Sequence, residues 1–238
     1  MEHSHSRAAI RARLAEGPEP NYLRDWVYGG IDGAVTTFAI VSGVVGAQLS
    51  PGIIVILGAA NLLADGLSMA AGNYLATRAE HDELRQAEAV ERRHVARVPE
   101  GEREEVREIF RRLGLEGALL ERIVEVITSD RDRWVRFMLR HEYGLPARVR
   151  SAWRAAGATL SAFVFCGLVP LAPFVIGVRD AFWMAAGATG LVFAAIGALK
   201  SRWSPQPWWR SALETLGVGG GAAVVAYGIG AWLRGLAG

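Results

Sequence analysis

The chain has 238 residues, a formal net charge of +2 and a single cysteine, and 51% of its residues are hydrophobic. One cysteine excludes a disulfide framework within the chain, and the interleaving of basic with acidic residues excludes a clustered Lys and Arg surface for nucleic acid. Charge is concentrated in residues 78–150, which hold 16 of the 24 acidic and 16 of the 26 basic residues. The rest is very apolar, which predicts a membrane protein with one hydrophilic insert.

The N-terminal segment, residues 1–26, is polar and carries four arginines. We do not expect a cleavable signal peptide, because the first apolar run is too long for an h-region and no small-residue cleavage pattern follows it. His3 and His5 are a weak metal-binding hint, and we expect them in a disordered tail.

Five apolar runs have the roughly 20 residues that a helix needs to cross the hydrocarbon core of a bilayer. Trp residues at or near their ends fit the aromatic belt of membrane interfaces. Arginine is enriched in the N-terminal segment and in the loop between runs four and five, so we expect the N-terminus in the cytoplasm and the C-terminus outside. The runs are 27–49, 52–76, 155–178, 181–199 and 212–233.

Two carboxylates lie inside the first two spans, at Asp32 and Asp65. An ionisable side chain in a span is costly unless it is paired or solvated, so each is a candidate functional residue. In span two, Asn61, Asp65, Met69 and Asn73 recur every four residues, which places them on one slanted stripe about 18 Å long. Oxygen ligands suit Mg²⁺, Ca²⁺ or Mn²⁺, and a methionine sulfur adds a preference for Fe²⁺. Packing of the methionine and interhelical hydrogen bonds of the acids remain alternatives.

The hydrophilic insert has helical spacing throughout, and three of its helices each carry a metal-capable pair of side chains. A Glu-x-x-His pair is the arrangement that di-iron bundles use, although such pairs are also common on solvated helices. The pairs converge on one site if the helices pack together, and they are ordinary surface charges otherwise. The predicted helices are 78–95, which continues span two, then, after a turn at Pro99 and Gly101, 102–113, 116–128 and 131–143. The pairs are Glu91 with His94, Glu102 with Glu105, and Met138 with Glu142.

We therefore predict an all-α polytopic membrane protein with five transmembrane helices and a cytoplasmic helical metal-binding domain inserted between helices 2 and 3. Abundant glycine in the spans predicts close helix packing and permits a dimer interface; examples are Gly29, Gly33, Gly43, Gly46 and the run Gly217–Gly221. The predicted divisions are a cytoplasmic segment at 1–26, helices 1 and 2 at 27–77, the metal-binding domain at 78–150, and helices 3 to 5 at 151–238.

Several motifs together match one family of membrane proteins. They are DWVYGGIDG at 25–33, TTFA at 36–39, SMA at 68–70 with Gly72 and Tyr74, and RFM at 136–138 with Glu142. Through them the chain resembles, over nearly its whole length, the vacuolar iron transporter family. The resemblance implies a proton-coupled exporter of cytosolic Fe²⁺, often also of Mn²⁺ or Co²⁺, that acts as a homodimer with its path at the dimer interface.

The resemblance also assigns site residues. Asp32 and Met69 match ligands of the path, and the glutamate of the family's second span falls at Asn61, so Asp65 is our candidate for the missing charge. His94 stands where a plant member would have Glu, and Leu139 where it would have a second Met. The metal-binding positions matched in the insert are Glu91, Glu102, Glu105, Met138 and Glu142.

The expected function is proton-coupled transport of a divalent metal, Fe²⁺ or alternatively Mn²⁺, Co²⁺ or Zn²⁺, with no other cofactor, no enzymatic activity and no nucleic-acid partner. Protons compete with metal for the carboxylates, which would couple the two. A membrane-anchored di-iron ferroxidase and a metal-sensing membrane scaffold remain alternatives. Short termini and the cytosolic carboxylates favour a prokaryotic inner membrane.

Overall fold

A computed structural model of the protein describes residues 4, 6–16, 20–146, 149–203 and 206–237. Every regular element in these ranges is helical. The α-helices are α1 Arg7–Glu16, α2 Leu23–Gly46, α3 Pro51–Arg97, α4 Pro99–Arg112, α5 Gly117–Thr128, α6 Arg131–His141, α7 Ala152–Ile176, α8 Ala181–Lys200 and α9 Trp208–Ala237, and a 3-10 turn covers Ser201–Trp203. His3 and His5 lie outside the described residues, so the metal-binding hint at the N-terminus stays a prediction.

The chain divides into two compact units. The apolar unit comprises Asn21–Leu75 and Ala152–Gly238, and the insert unit comprises Met1–Pro20 and Ala76–Ser151. Helix α3 contributes its first part to the apolar unit and its second part to the insert unit. It continues past the apolar run because residues 73–97 contain neither proline nor glycine, the two residues that most strongly interrupt a helix.

The apolar unit contains five helices that are long and apolar enough to cross a membrane, judged by length and composition: α2, α3, α7, α8 and α9. They correspond to the five predicted runs. Helix α2 packs against α7, α8 and α9 and so lies at the centre of the unit. Large aromatic side chains near helix ends are exposed, Trp153, Trp183 and Trp232 among them, as the aromatic belt predicts.

Small residues bring α2 and α7 into backbone contact. A Cβ atom on Gly33 would lie 2.3 Å from the carbonyl oxygen of Phe163, and one on Gly29 would lie 2.4 Å from that of Thr159. No side chain fits between these backbones, which agrees with the predicted role of small residues in membrane helix packing.

The glycine run Gly217–Gly221 in α9 does not share this role within the described chain. A Cβ on Gly219 would meet the ring of Phe193, but the other three glycines of the run would meet nothing within 4 Å. The prediction of close packing along this run is therefore wrong for the single chain, because the run mostly faces away from α8 and α2.

The insert unit packs α4, α5, α6 and the second part of α3 around one apolar core. Trp134, Val135 and Met138 from α6 are buried there with Val106 of α4 and Val124 of α5. These residues follow the helical spacing of the sequence, so each helix presents its apolar stripe to the others.

One predicted boundary in the insert is wrong. The sequence predicts a turn at Pro99 and Gly101, but α4 begins at Pro99 and Gly101 lies inside its first turn. Proline suits the first helical position, because its φ is already helical and its missing N–H would have no partner there. The break between α3 and α4 is therefore confined to Val98, which brings the end of α3 close to the start of α4.

Candidate metal sites

Glu91 on α3 is fully buried in the insert unit, with 0% of its surface exposed. Neither of its carboxylate oxygens has a hydrogen-bond partner among the described residues. Burying a carboxyl group without a partner is costly, and native proteins satisfy nearly all such groups with a proton donor, water or a cation. An unpartnered buried carboxylate therefore marks a position where a ligand is expected.

Two further side chains surround Glu91. Glu102, in the first turn of α4, is also buried, and its Oε2 has no hydrogen-bond partner among the described residues. His94 lies one turn along α3 from Glu91, and its Nδ1 is 3.3 Å from Oε1 of Glu102. One ligand atom from each of the three residues lies within 4.8 Å of the other two. A single cation could bind all three, with carboxylate and imidazole ligands that suit a first-row divalent metal.

Two more carboxylates, Glu105 and Glu142, lie within electrostatic range of Glu91. Burial, followed by the neighbouring Glu102 carboxyl, raises the pKa of Glu91 to about 8. Glu105 and Glu142 are exposed side chains, yet their pKa values are also raised, first by partial desolvation and then by neighbouring carboxylates, including Glu102. Desolvation is the largest cause of all three shifts, the neighbouring carboxyl groups add to it, and His94 partly offsets it at Glu105 and Glu142.

Met138 completes the set of predicted insert residues. It lies on α6 with no exposed surface, in the apolar core of the insert unit. We call Glu91, His94, Glu102, Glu105 and Glu142 the insert cluster, and Met138 stays a predicted ligand.

The remaining acids of the insert contrast with this cluster. Most of them form exposed ion pairs with arginine, as surface charges usually do. In the part of the chain that the structure describes, neither lysine nor arginine forms an ion pair with any of the four cluster carboxylates. Ordinary surface charge is therefore a poor explanation of the buried pair Glu91 and Glu102, whereas Glu105 and Glu142 are exposed. The pairs elsewhere include Arg92 with Glu88 and Asp132, Arg107 with Glu104 and Glu121, and Arg111 with Glu108.

Tyr143 is a neighbour of the cluster that sequence reasoning missed. The pKa of its phenol is raised by burial and then by the charges of Glu142 and Glu91, so the hydroxyl lies within electrostatic range of the site. The only signal in the sequence is its position directly after Glu142, which predicts no direction for the side chain.

In the apolar unit, the predicted stripe of α3 lies along one half-buried face. Asp65 lies close enough to Asp32 of α2 for the two charges to interact. Among the described residues, neither carboxylate receives a hydrogen bond, so the interhelical hydrogen bonds that could have explained these acids are not found. Asn61 is linked to the same region, since its Nδ2 donates to Oγ1 of Thr36 at 3.2 Å. The half-buried residues are Asp32, Asn61, Asp65, Met69 and Asn73.

Asn73, at the end of the stripe, ties three helices together. Its Nδ2 donates to Oγ1 of Thr159 on α7 at 2.7 Å and to Oδ1 of Asp25 on α2 at 3.0 Å. Asp25 is a buried acid that the sequence analysis did not single out. Met69 packs against the apolar core that includes Phe163, which fits the packing alternative. The structure therefore brings Asp32, Asn61 and Asp65 together and gives Asn73 other partners.

Fold and sites together define a multi-pass helical membrane protein with candidate cation sites in both units. The chain belongs to the VIT family, whose model matches residues 23–231. It is 33% identical over 230 residues to a vacuolar iron transporter of Toxoplasma gondii, covering 90% of this chain and 75% of that protein. It is 31% identical to vacuolar iron transporter 1 of Oryza sativa subsp. japonica, covering 87% of this chain and 83% of the relative. The corresponding protein of Arabidopsis thaliana is 30% identical, with 86% and 83% covered.

Proposed function

We propose that this protein carries Fe²⁺ out of the cytosol in exchange for protons, with Mn²⁺, Co²⁺ and Zn²⁺ as further candidate cargo. The relatives named as vacuolar iron transporters support the iron. The observation that carries the proposal is Glu91, whose buried carboxylate has no partner among the described residues and lies beside His94 and Glu102. A cation that binds there would replace the proton on Glu91 and gain His94 and Glu102 as further ligands.

The insert cluster is the proposed collecting site on the cytoplasmic side. Carboxylate and imidazole ligands suit several divalent metals, and the sulfur of Met138 would favour the softer ones among them. Because the pKa of Glu91 is about 8, this carboxyl is largely protonated at neutral pH. Metal binding then has to displace a proton, so loading is linked to proton release.

Asp32 and Asp65 are the proposed ligands of the path through the membrane. Each is half-buried, and no described residue donates a hydrogen bond to either carboxylate. Asp65 supplies a charge one turn from Asn61, the position of the family's glutamate. A proton on either acid would leave when the metal arrives, which provides the exchange.

A homodimer would complete the path. On the face of α3 that carries Asp65, the small residues Ser68 and Gly72 are exposed in the single chain and leave room for close helix packing. A second copy packed against this helix would place two sets of Asp32 and Asp65 around one axis, since a two-fold interface repeats every contact. We further propose that the N-terminus and the insert face the cytoplasm of a prokaryotic cell and that the C-terminus lies outside.

Uptake of ⁵⁵Fe²⁺ into proteoliposomes under an imposed pH gradient tests the proposal. Acid inside should drive uptake, and removal of the gradient should slow it. The substitution Asp32→Asn should abolish uptake, and Glu91→Gln should lower it most at low Fe²⁺ concentration, because the collecting site loses a ligand. Glu108→Gln is the matched control, since Glu108 is an exposed insert acid paired with Arg111.

Two results would overturn the proposal. Folded protein that takes up no more iron than empty vesicles would exclude transport. Oxygen consumption on addition of Fe²⁺ would instead identify the insert as a ferroxidase centre, provided that Glu91→Gln loses this activity and Asp32→Asn keeps it.

A further inference from the structure

A second feature of the apolar unit is a groove of about 730 Å³ near the turn between α2 and α3. Helices α2 and α9 form most of its wall, through residues such as Val44 and Ile229, and Leu57 contributes from α3. The lining is apolar except for Arg234, near the end of α9. The groove shares no residue with the insert cluster or with the Asp32–Asp65 pair.

The groove exists because its floor is made of small residues. A Cβ atom on Gly230 would lie 2.0 Å from the carbonyl oxygen of Gly43, so α9 lies directly on α2 at this level. Ala47 and Ala226 also line the groove and offer little bulk. The two backbones meet, and no side chain fills the channel beside them. A channel of this size, running along membrane helices, is accessible to lipid tails, which are as apolar as leucine.

Arg234 supplies the polar end of the groove. It is exposed, and it makes neither an ion pair nor a hydrogen bond with any residue that the structure describes. Arginine near the end of a membrane helix places its charge at the level of the lipid headgroups. An apolar channel that ends in a cation matches an acyl chain that ends in a phosphate.

We propose that this groove binds one acyl chain of an anionic glycerophospholipid, with the lipid phosphate at Arg234. A zwitterionic lipid fits less well, because its own ammonium group competes with Arg234 for the phosphate. A second copy of the chain also fits less well. A two-fold dimer applies the same patch to itself, so it would add a second Arg234 to an interface whose groove offers no acid.

Native mass spectrometry of the full chain tests the proposal, after exchange into micelles containing equal amounts of dioleoyl phosphatidylglycerol and dioleoyl phosphatidylcholine. The two lipids share their acyl chains and differ in net charge. We expect the wild type to retain one phosphatidylglycerol per chain in preference to phosphatidylcholine. Arg234→Gln should lower that retention about fivefold, because that factor corresponds to the attraction between one cationic side chain and an anionic lipid surface. Leu57→Trp, which fills the groove, should lower retention of both lipids.

Arg179→Gln is the matched control, because Arg179 is another exposed arginine of the apolar unit and does not line the groove. Thermal unfolding in the same micelles shows whether each variant is folded. Equal retention of phosphatidylglycerol by wild type and folded Arg234→Gln would overturn the proposal, as would equal retention of the two lipids by the wild type. Disulfide cross-linking of Ile229→Cys between copies in vesicles would also overturn it, because a second copy would then occupy the groove.

Discussion

Replacing Glu91 with glutamine keeps the size of the side chain and removes the carboxyl group at the centre of the insert cluster. In the metal-free protein, this change should stabilise the insert unit at alkaline pH. The reason is that the unfolded chain ionises Glu91 freely, whereas the folded protein holds the buried carboxyl group protonated until the pH reaches about 8. Glutamine carries no charge at any pH, so it avoids that difference.

The sign and the size follow from the pKa. The folded protein raises the pKa of Glu91 from 4.5 to about 8, so it holds a proton that the unfolded chain has released across this range. The contribution of Glu91 to stability is therefore complete below pH 4.5 and falls as the pH rises to about 8. At about 1.4 kcal/mol per pH unit, the loss is at most about 5 kcal/mol. Glu105 and Glu142 are raised in the same direction, so Glu91→Gln should reduce the fall without abolishing it.

Hydrogen–deuterium exchange of α6 peptides in the full chain, with a chelator present and intrinsic rates corrected for pH, measures this local stability. Between pH 5 and pH 8 the wild type should lose protection and Glu91→Gln should lose distinctly less. Glu108→Gln should behave like the wild type, because Glu108 is exposed and its pKa is lowered by Arg111. Equal pH dependence in wild type and Glu91→Gln would refute the reasoning. Added metal should restore protection at pH 8 in the wild type and in Glu108→Gln, and much less in Glu91→Gln.

Two further predictions concern the apolar unit. Asn73→Ala should lower the free energy of unfolding by about 1–3 kcal/mol, because it removes the hydrogen bonds that Asn73 donates to Asp25 and Thr159. Thermal unfolding in detergent checks this, and a loss of metal binding with unchanged stability would contradict it. Gly33→Ala should cost a similar amount, because its Cβ would clash with the α7 backbone, whereas Gly217→Ala should be tolerated, because its Cβ would meet nothing within 4 Å. The same unfolding assay compares the two, and equal losses would contradict the packing described.

The helices were predictable because burial in a membrane and burial in the core of the insert both leave strong patterns of apolar residues in the sequence. Apolar runs of membrane length gave the helices of the apolar unit, and the lack of proline and glycine after Asn73 gave the continuation of α3. In the insert, apolar residues at helical spacing identified the faces that meet around Trp134. These patterns depend on each segment alone, so one sequence is enough to find them.

Partners across helices were harder to predict, because they depend on rotation and distance between helices. The spacing of the α3 stripe put Asn73 together with Asp65, but Asn73 donates its hydrogen bonds to Asp25 and Thr159. The glycine run in α9 has the composition of an interface, yet most of it meets nothing in the described chain. Proline and glycine are typical of turns, but α4 begins at Pro99 and includes Gly101.

The insert cluster shows how part of this information could be recovered from sequence. On a helix, an acid is most easily neutralised by a cation three or four positions away. Many surface acids of the insert have one, and the four cluster acids have neither lysine nor arginine at these positions. Glu121 also lacks such a neighbour and pairs with Arg107 of another helix, so the rule selects candidates and the fold decides among them. The cluster acids are Glu91, Glu102, Glu105 and Glu142, whereas Glu100, Glu104 and Glu108 each precede an arginine by three residues and pair with it. In the described part of the chain, exposed Glu83 also lacks both a local and a distant arginine, but water solvates it. Glu91 and Glu102 are buried, so only a proton, His94 or a metal ion can supply positive charge to them.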